Sequence, residues 1–411
     1  MDSSREGRIM TINLQARNAT LNDLAVLLKE QQAAKFDFVA PLANVTANGG
    51  QIKVAGTSVF GGGQEFTPTA IADGHLAARL GIPPSYLKML RAERVDLYDA
   101  NVNGWTQGWT PTGEDSRAAN AYPADPRTVL LRSFVSDSDP SAPGVLRAVL
   151  SERYGIIDNL DVLMAALDGV RETGTGIDVL GCDLTETRMT IRIAAPSLLV
   201  HAPKLLAGYR SPFGSGALDQ PRSVPQWAQD RFGVNADGVV GGFVITNSET
   251  GGGAFTITPR IMVLACTNGM MISRDAMRQV HLGGRLEEGQ IRWSNDTQHK
   301  ALELVTAQAR DAVATFLDTD YVAGVIDRLS DQAATPLTEP AKVIEIVGKQ
   351  LAYTQEQQSG ILDHFIRGGQ VTAGGVLQAV TSFAQTVENP DTAFDLEASA
   401  VRAMELAATS R

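Results

Sequence analysis

The amino-acid sequence predicts an α+β protein with a central antiparallel β-sheet and flanking helices, between a helical N-terminal unit and an all-helical C-terminal unit. Apolar residues recur at helical spacing near both ends of the chain, whereas apolar and polar residues alternate in several middle segments. Turn-rich sequence separates the two kinds of pattern. We therefore place the units at residues 1–125, 126–293 and 294–411.

The N-terminal unit begins with a predicted helix over residues 20–34, where Thr20 and Asp23 precede an apolar stripe as cap residues. The next segments, "QIKVAGTSVF" and "GGGQEF", predict a short hairpin or strand-turn unit. A helix then ends at Gly81, and another begins near Ser85 after two prolines. This stretch predicts two helices joined by a tight turn.

The central unit is predicted from the strand-like segments "TVLLRSFV", "RAVLSERYG" and "TETRMTIRIAA". Apolar and polar residues alternate in the last of these, which places Arg188 and Arg192 on one face of a strand. A helix that ends at Gly174 lies between the strands, and an irregular loop covers residues 211–233.

The stretch "NSETGGGAFTITP" raises the question of a phosphate-binding loop. Such loops lead into a helix, whose N-terminal amides complete the anion site, but here β-branched and apolar residues follow the glycines. A hairpin turn with glycines at positive φ is therefore predicted. Asn268 would lie roughly 50 Å along the returning strand, away from Asn247 and Glu249, unless that strand bends sharply at Pro259. Because a glycine turn needs no glutamate, Asn247, Ser248 and Glu249 remain a candidate polar site.

The C-terminal unit is predicted to contain only helices. The first is long and amphipathic, and its apolar stripe consists of Leu302, Val305, Ala309, Val313 and Phe316. Further helices are predicted near residues 340–352, 355–367, 373–387 and 392–408, each after a Thr, Asn or Asp cap candidate.

The formal net charge of −11 is concentrated near the C-terminus, since residues 301–411 contain 15 acidic and 7 basic residues. That segment is a poor polyanion-binding surface, because phosphate contacts need Lys and Arg. No apolar run resembles a signal peptide or approaches the ~20 residues of a membrane span. The two cysteines, Cys182 and Cys266, predict reduced thiols. We therefore expect a cytoplasmic protein without membrane contact.

Two features are candidates for nucleic-acid binding. The packing positions of a helix-turn-helix are occupied by Ala77, Gly81, Ile82, Leu87 and Leu90. The side chains that a recognition helix would present to a DNA groove are Tyr86, Lys88, Arg91 and Arg94. An ordinary helical corner needs the same packing residues, so both interpretations stay open.

The second feature is the strand with Arg188 and Arg192, which would contact a nucleic-acid backbone across a sheet. The alternative is a solvated outer face on which Glu186 pairs with an arginine.

Few residues suggest catalysis or metal binding. The sequence lacks G-x-x-x-x-G-K-[ST], H-E-x-x-H, G-x-S-x-G and C-x-x-C motifs, and its five histidines have no ligand spacing. A metal site at His281, Asp296 and His299 has no further support. Carboxylates at residues 158–161 and 183–186 would suit magnesium, but cap and turn roles explain them more simply. We predict no catalytic residue, metal or cofactor.

Several segments together resemble the phage/plasmid-like family called domain of unknown function 932. They are "LGIPPSYL", "NVNGW", "LRAVLSERYGIIDN", "DLTETRM", "GFVITNSETGGGAFTITP", "CTNGM", "HLGGRLEEG" and "GGQVTAGGVLQAVTSFAQ". The resemblance implies a gene of a bacteriophage or other mobile element, and a product in the host bacterial cytoplasm that serves DNA metabolism or host takeover. It supplies no catalytic residues.

The leading hypothesis is a non-catalytic nucleic-acid-binding protein of phage or mobile-element DNA metabolism, with single-stranded DNA as the candidate ligand. One alternative is a protein-interaction module or inhibitor of a host factor, with host or phage proteins as partners. Another is a magnesium-dependent enzyme that uses Asp158, Asp183 or Glu249. An oligomer is compatible with all three.

Overall fold

A computed structural model of the protein describes residues 13–55, 64–108, 122–136, 142–213, 238–264, 267–279, 289–290 and 295–410. Helices and two seven-stranded sheets confirm the predicted α+β class. Most of the predicted loop at 211–233, part of the turn-rich segment at 105–127 and His281 lie outside the described residues, as do the side chains of Asp296 and His299.

The strands follow one another along the chain. They are β1 (Ala16–Ala19), β2 (Lys35–Pro41), β3 (Val45–Asn48), β4 (Gln51–Val54), β5 (Gln64–Pro68), β6 (Thr128–Phe134), β7 (Gly144–Ser151), β8 (Asp178–Leu184), β9 (Met189–His201), β10 (Gly238–Asn247), β11 (Phe255–Val263), β12 (Gly269–Met271), β13 (Met277–Gln279) and β14 (Gly289–Gln290).

The helices occupy three stretches of the chain. They are α1 (Leu21–Ala33), α2 (Ala70–Leu80), α3 (Pro84–Glu93), α4 (Val95–Thr106), α5 (Asn159–Glu172), α6 (Asn295–Phe316), α7 (Thr319–Ala333), α8 (Pro340–Gln350), α9 (Gln355–Gly368), α10 (Ala373–Thr386) and α11 (Pro390–Thr409). None of the described helices is long and apolar enough to cross a membrane.

The first sheet, sheet A, is antiparallel and has the order β1-β8-β9-β10-β11-β12, with β13 also paired to β11. Strands β10 and β11 form the predicted hairpin, in register from Val239 opposite Val263 to Thr246 opposite Thr256. The glycine-rich segment is the turn of this hairpin, and among its three glycines Gly251 alone has positive φ, at 82°. The prediction of a hairpin in place of a phosphate loop is confirmed.

The second sheet, sheet B, has the order β14-β2-β6-β7-β5-β4-β3, and its β5–β7 pair is parallel. Strands β2 to β5 precede residue 125, so the N-terminal unit contains strands besides its predicted helices. Strand β2 pairs along its length with β6 of the central unit, from Lys35 opposite Phe134 to Pro41 opposite Thr128. The chain therefore builds sheet B from both sides of the predicted boundary.

Three apolar cores hold helices against the sheets. Helices α2, α3 and α4 pack on sheet B through buried residues that include Phe38, Phe66, Leu76, Leu87 and Tyr98. Helices α1, α5 and α6 pack on one region of sheet A, and α7 to α11 pack on another together with the end of β11. The acidic C-terminal helices are therefore part of the folded body, because they share a core with sheet A.

Candidate functional site

Glu249 lies in the turn after β10 and joins three elements. Its Oε2 accepts a hydrogen bond from Arg147 Nη2 on β7 at 2.6 Å, and its Oε1 accepts one from the backbone N–H of Asn159 at 2.6 Å. Asn159 is the first residue of α5, so the carboxylate satisfies a free helix N–H and lies at the positive end of the helix dipole. The glutamate that a glycine turn does not require therefore links the two sheets and α5.

A buried ion network continues from Glu249 across the sheet junction. We call it the ionic junction, and its members are Lys35, Asp37, Arg132, Arg147, Asp158 and Glu249. Arg132 is fully buried, and its Nη2 lies 2.9 Å from an Asp37 oxygen and 2.5 Å from an Asp158 oxygen. Three cations face three carboxylates, as a charged group removed from water requires.

The electrostatics of the junction keep these groups ionised. Burial works to raise the pKa of Asp158, but the charges of Arg132 and Lys35 outweigh it and hold the pKa well below its ordinary value. Burial works to lower the pKa of Arg132, and its three carboxylate neighbours keep that pKa well above the ordinary value. Because each carboxylate already contacts a cation, the junction is a structural assembly in this form of the protein. Across the described stretches, no group of three or more His, Cys, Asp or Glu side chains has a metal-binding arrangement.

The other two members of the candidate polar site serve the same junction. Asn247 Nδ2 donates to the Asn159 Oδ1 at 2.9 Å and to the Ile157 carbonyl at 3.1 Å. The Ser248 hydroxyl accepts from the Gly252 N–H at 2.9 Å, which closes the glycine turn. Asn268, as predicted, lies elsewhere: its Nδ2 donates to the Tyr209 hydroxyl at 2.9 Å.

The structure corrects the interpretation of Arg192 as a surface arginine. Arg192 is 2% exposed. Its Nη1 lies 2.5 Å from an Asp183 oxygen, and its Nε lies 3.4 Å from a Glu397 oxygen on α11. Alternation along β9 correctly places Arg192 on the polar side of the strand, but a helix from the C-terminal unit covers that side. Asp183, a candidate magnesium ligand, is held by this arginine.

Arg188 also pairs with α11 and not with the predicted partner Glu186. Its Nη1 lies 3.1 Å from an Asp395 oxygen, and its guanidinium lies 4.3 Å from the centre of the Phe394 ring. The two strand arginines therefore attach the C-terminal helix to sheet A, and neither guanidinium is free to contact a phosphate backbone.

The predicted helix-turn-helix geometry is present at α2 and α3. Gly81 has a φ of 71° and ends α2, while the Ile82 N–H donates to the Ala77 carbonyl at 2.9 Å in the manner of a Schellman cap. On the outer face of α3, Tyr86 is 43% exposed and Lys88 is exposed. The corner is therefore built as predicted, with two of the four proposed contact residues on its open side.

The other two proposed contact residues have intramolecular partners. Arg91 Nη1 donates to Asp73 Oδ2 and to the Pro68 carbonyl, both at 2.7 Å, which attaches α3 to α2 and β5. Arg94 is exposed and pairs with Asp96 two residues away, at 2.7 Å. The α3 surface thus offers less free positive charge than its sequence suggested.

An exposed aromatic pair lies at the end of α4 and was missed by sequence reasoning. Trp105 is 47% exposed and Tyr122 is 59% exposed, and their ring centres lie 6.0 Å apart in an edge-to-face arrangement. With Ala100, Asn101 and Gly104 they line an open cleft of about 400 Å³. The signal was visible as aromatic residues in an otherwise polar, turn-rich stretch, which we interpreted only as a boundary.

Two arginines lie close to this pair. The Asp125 N–H donates to the Thr106 carbonyl at 3.0 Å, so the chain from Tyr122 to Arg127 passes the end of α4. These five residues span at most about 18 Å even when extended. Arg127 Nη2 donates to the carbonyl of Arg79, at the end of α2.

The charge around Arg79 is incompletely neutralised. Burial lowers the pKa of Arg79, and the neighbouring charge of Arg127 lowers it further. Burial and the charge of Arg79 likewise lower the pKa of His75. Within the described ranges, Asp125 is the carboxylate that forms an ion pair with this group, at 2.5 Å from Arg127. We define the aromatic–arginine patch as His75, Arg79, Trp105, Tyr122 and Arg127.

Comparison with known proteins supplies no family. No protein-family model, curated protein or solved structure matches the chain. The resemblance to domain of unknown function 932 remains a prediction from the segments quoted above, and function must be argued from the patch and its surroundings.

Proposed function

We propose that the protein binds single-stranded nucleic acid, without converting it, through the aromatic–arginine patch. The observation that carries the proposal is the exposed Trp105–Tyr122 pair beside two arginines that share one carboxylate. Unpaired bases stack on exposed aromatic rings, and guanidinium groups bind the phosphates between them. The resemblance to a phage and plasmid family supports a place in the DNA metabolism of a mobile element.

Single strands suit this surface better than duplex DNA. Stacking on Trp105 or Tyr122 needs a base that is free of its partner. Reading of a duplex groove by α3 would use Arg91, but that side chain already bonds Asp73 and Pro68. The α3 helix retains Tyr86 and Lys88 as the open contacts from the original hypothesis.

The charge distribution predicts weak binding that depends on salt. The whole chain carries −11, so attraction must come from the local surplus around Arg79 and Arg127. Each phosphate contact to a single strand contributes a slope of about −0.7 in the logarithm of the binding constant against the logarithm of salt concentration. We therefore expect a slope of about −1.4 for two arginine contacts.

The test is fluorescence anisotropy with labelled oligothymidine and with a duplex of equal length, at low and high salt. Trp105→Ala should weaken oligothymidine binding roughly tenfold, since loss of one stacked base costs about 1–3 kcal/mol. Arg79→Gln should reduce the salt slope by about 0.7, because one phosphate contact is lost. Absence of salt-sensitive binding at micromolar protein would refute the proposal.

Two further variants locate the site. Arg367→Gln removes an exposed arginine that pairs with Asp363 on α9 and should leave binding unchanged. Tyr86→Ala separates the patch from the α3 surface. If Tyr86→Ala abolishes binding while Trp105→Ala has no effect, the site is on α3 and our placement is wrong.

A further inference from the structure

A second concave site lies on the other side of the fold from α2 to α4, against the C-terminal helices. It is a cleft of about 830 Å³ between the turn at Ser273–Asp275, the end of α6, and helices α7 and α11. We call it the arginine cleft. It shares no residue with the aromatic–arginine patch, so the two sites can be tested independently.

The floor of the cleft is apolar. Met271 and Ile272 at the edge of sheet A meet Val325 and Leu329 of α7, and Val401 of α11 completes the wall. A volume of several hundred Å³ with mainly apolar walls is typical of sites for small organic molecules. The floor would remove the apolar body of a ligand from water.

The rim carries three arginines and two carboxylates. Arg274 and Arg402 share Glu405, with N–O distances of 2.5 and 3.1 Å, while Arg328 lies 3.8 Å from Asp275. These arginine side chains are between 59% and 76% exposed. Each guanidinium has five N–H donors, so the two carboxylates leave donors free for another anion.

The position of this positive charge is unusual for its surroundings. Residues 301–411 contain 15 acidic and 7 basic residues, yet two of those seven, Arg328 and Arg402, line this one cleft. Arg274 adds a third cation from sheet A. The rim therefore has a surplus of one positive charge above an apolar floor, the combination that binds an anionic head group on an apolar body.

We propose that the arginine cleft binds a small organic anion, which places its apolar body on the floor and its carboxylate, phosphate or sulfonate group against Arg328 and Arg402. Both parts are needed. An inorganic anion lacks the body that the floor would bury, and a neutral molecule lacks the group that the guanidinium donors would bind.

The test uses two fluorescent probes of similar shape, anionic anilinonaphthalenesulfonate and neutral phenylnaphthylamine, with the full-length protein. The anionic probe should bind at one site, and decanoate should displace it while inorganic phosphate does not. Arg328→Gln and Arg402→Gln should each weaken the anionic probe about tenfold, as loss of a charge-assisted hydrogen bond implies. The neutral probe should be unaffected by either change.

Two variants keep the result interpretable. Arg367→Gln, outside the cleft, should leave both probes unchanged, and Val401→Trp should fill the cleft and weaken both. The proposal fails if the arginine variants bind the anionic probe as the original protein does, or if both probes respond alike to them. It also fails if a folded Val401→Trp protein, checked by circular dichroism, retains full binding of both probes.

Discussion

Glu249 shows how a single side chain can look functional in sequence and prove structural in three dimensions. Its carboxylate contacts Arg147, which is 102 residues away in the chain, and the first N–H of α5. Nothing within the motif "NSETGGG" identifies either partner. The same applies to Arg192, whose partner Glu397 lies 205 residues further along the chain.

Glu249→Gln should destabilise the protein by about 3 kcal/mol, because it leaves the buried guanidinium of Arg147 without its carboxylate. Urea-induced unfolding measures the change. The matched control is Glu345→Gln, which breaks an exposed pair with Lys349 on α8 and should cost less than about 0.5 kcal/mol.

Equal effects of the two substitutions would contradict a structural role for Glu249. The magnesium-enzyme hypothesis makes a different prediction: metal-dependent turnover of nucleic acid or nucleotides, lost in Glu249→Gln at a temperature where the variant remains folded.

Among the elements, helices are the most predictable. Cap residues and apolar stripes place α1, α2 and α3 and the helices after residue 340 within a few residues of their observed ends. Helix α7 is missed, although Asp318 caps it by accepting from the Tyr321 N–H at 2.9 Å. Helical signals depend on neighbours three or four residues apart, so they are present in the local sequence.

Strands that are covered on both faces are less predictable. All five interior residues of β2 are buried, so no alternation distinguishes one face from the other. Its pairing with β6 is a long-range event across about ninety residues. For this reason the sequence analysis describes the N-terminal unit mainly by its helices and does not detect that it shares a sheet with the central unit.

The paired glycines of β10 illustrate a packing constraint on a strand. A Cβ at Gly242 would collide with the carbonyl of Ile193 on β9, beside the irregular register of this strand pair. Gly242→Ala should therefore cost about 3 kcal/mol of unfolding free energy, as overpacking against rigid backbone does.

Gly253 in the same hairpin is the matched control. A Cβ there would meet nothing within 4 Å, so Gly253→Ala should change stability by less than about 0.5 kcal/mol. Thermal unfolding of the two variants compares them directly. A neutral Gly242→Ala would mean that β9 and β10 do not approach each other as closely as described.

At the scale of the whole molecule, the C-terminal helices cannot be treated as a detachable tail. They share a core with sheet A through Val239, Ile261 and Met270, and α11 supplies the Glu397 carboxylate that pairs with buried Arg192. Removing residues 301–411 would expose that core and leave a buried charge unpaired.

We expect the 1–300 fragment to aggregate or to be digested rapidly in limited proteolysis. A soluble, protease-resistant fragment would show that the two parts fold independently. This bears on the protein-interaction hypothesis, because a changed partner list for an unfolded fragment is not informative. The exposed substitutions Asp331→Asn and Glu356→Gln keep the core intact and offer a better test of the acidic surface.

The sequence by itself determined the α+β class, most helices, the glycine-rich hairpin and the tight corner between α2 and α3. These features depend on spacing, caps and turn residues that lie near one another in the chain. Only the tertiary structure decided which polar residues remain open to solvent. It buried Arg192 and Glu249 against distant partners and left Trp105, Tyr122 and the rim of the arginine cleft exposed. Burial depends on which layer covers a face, and that is set by contacts over a hundred or more residues.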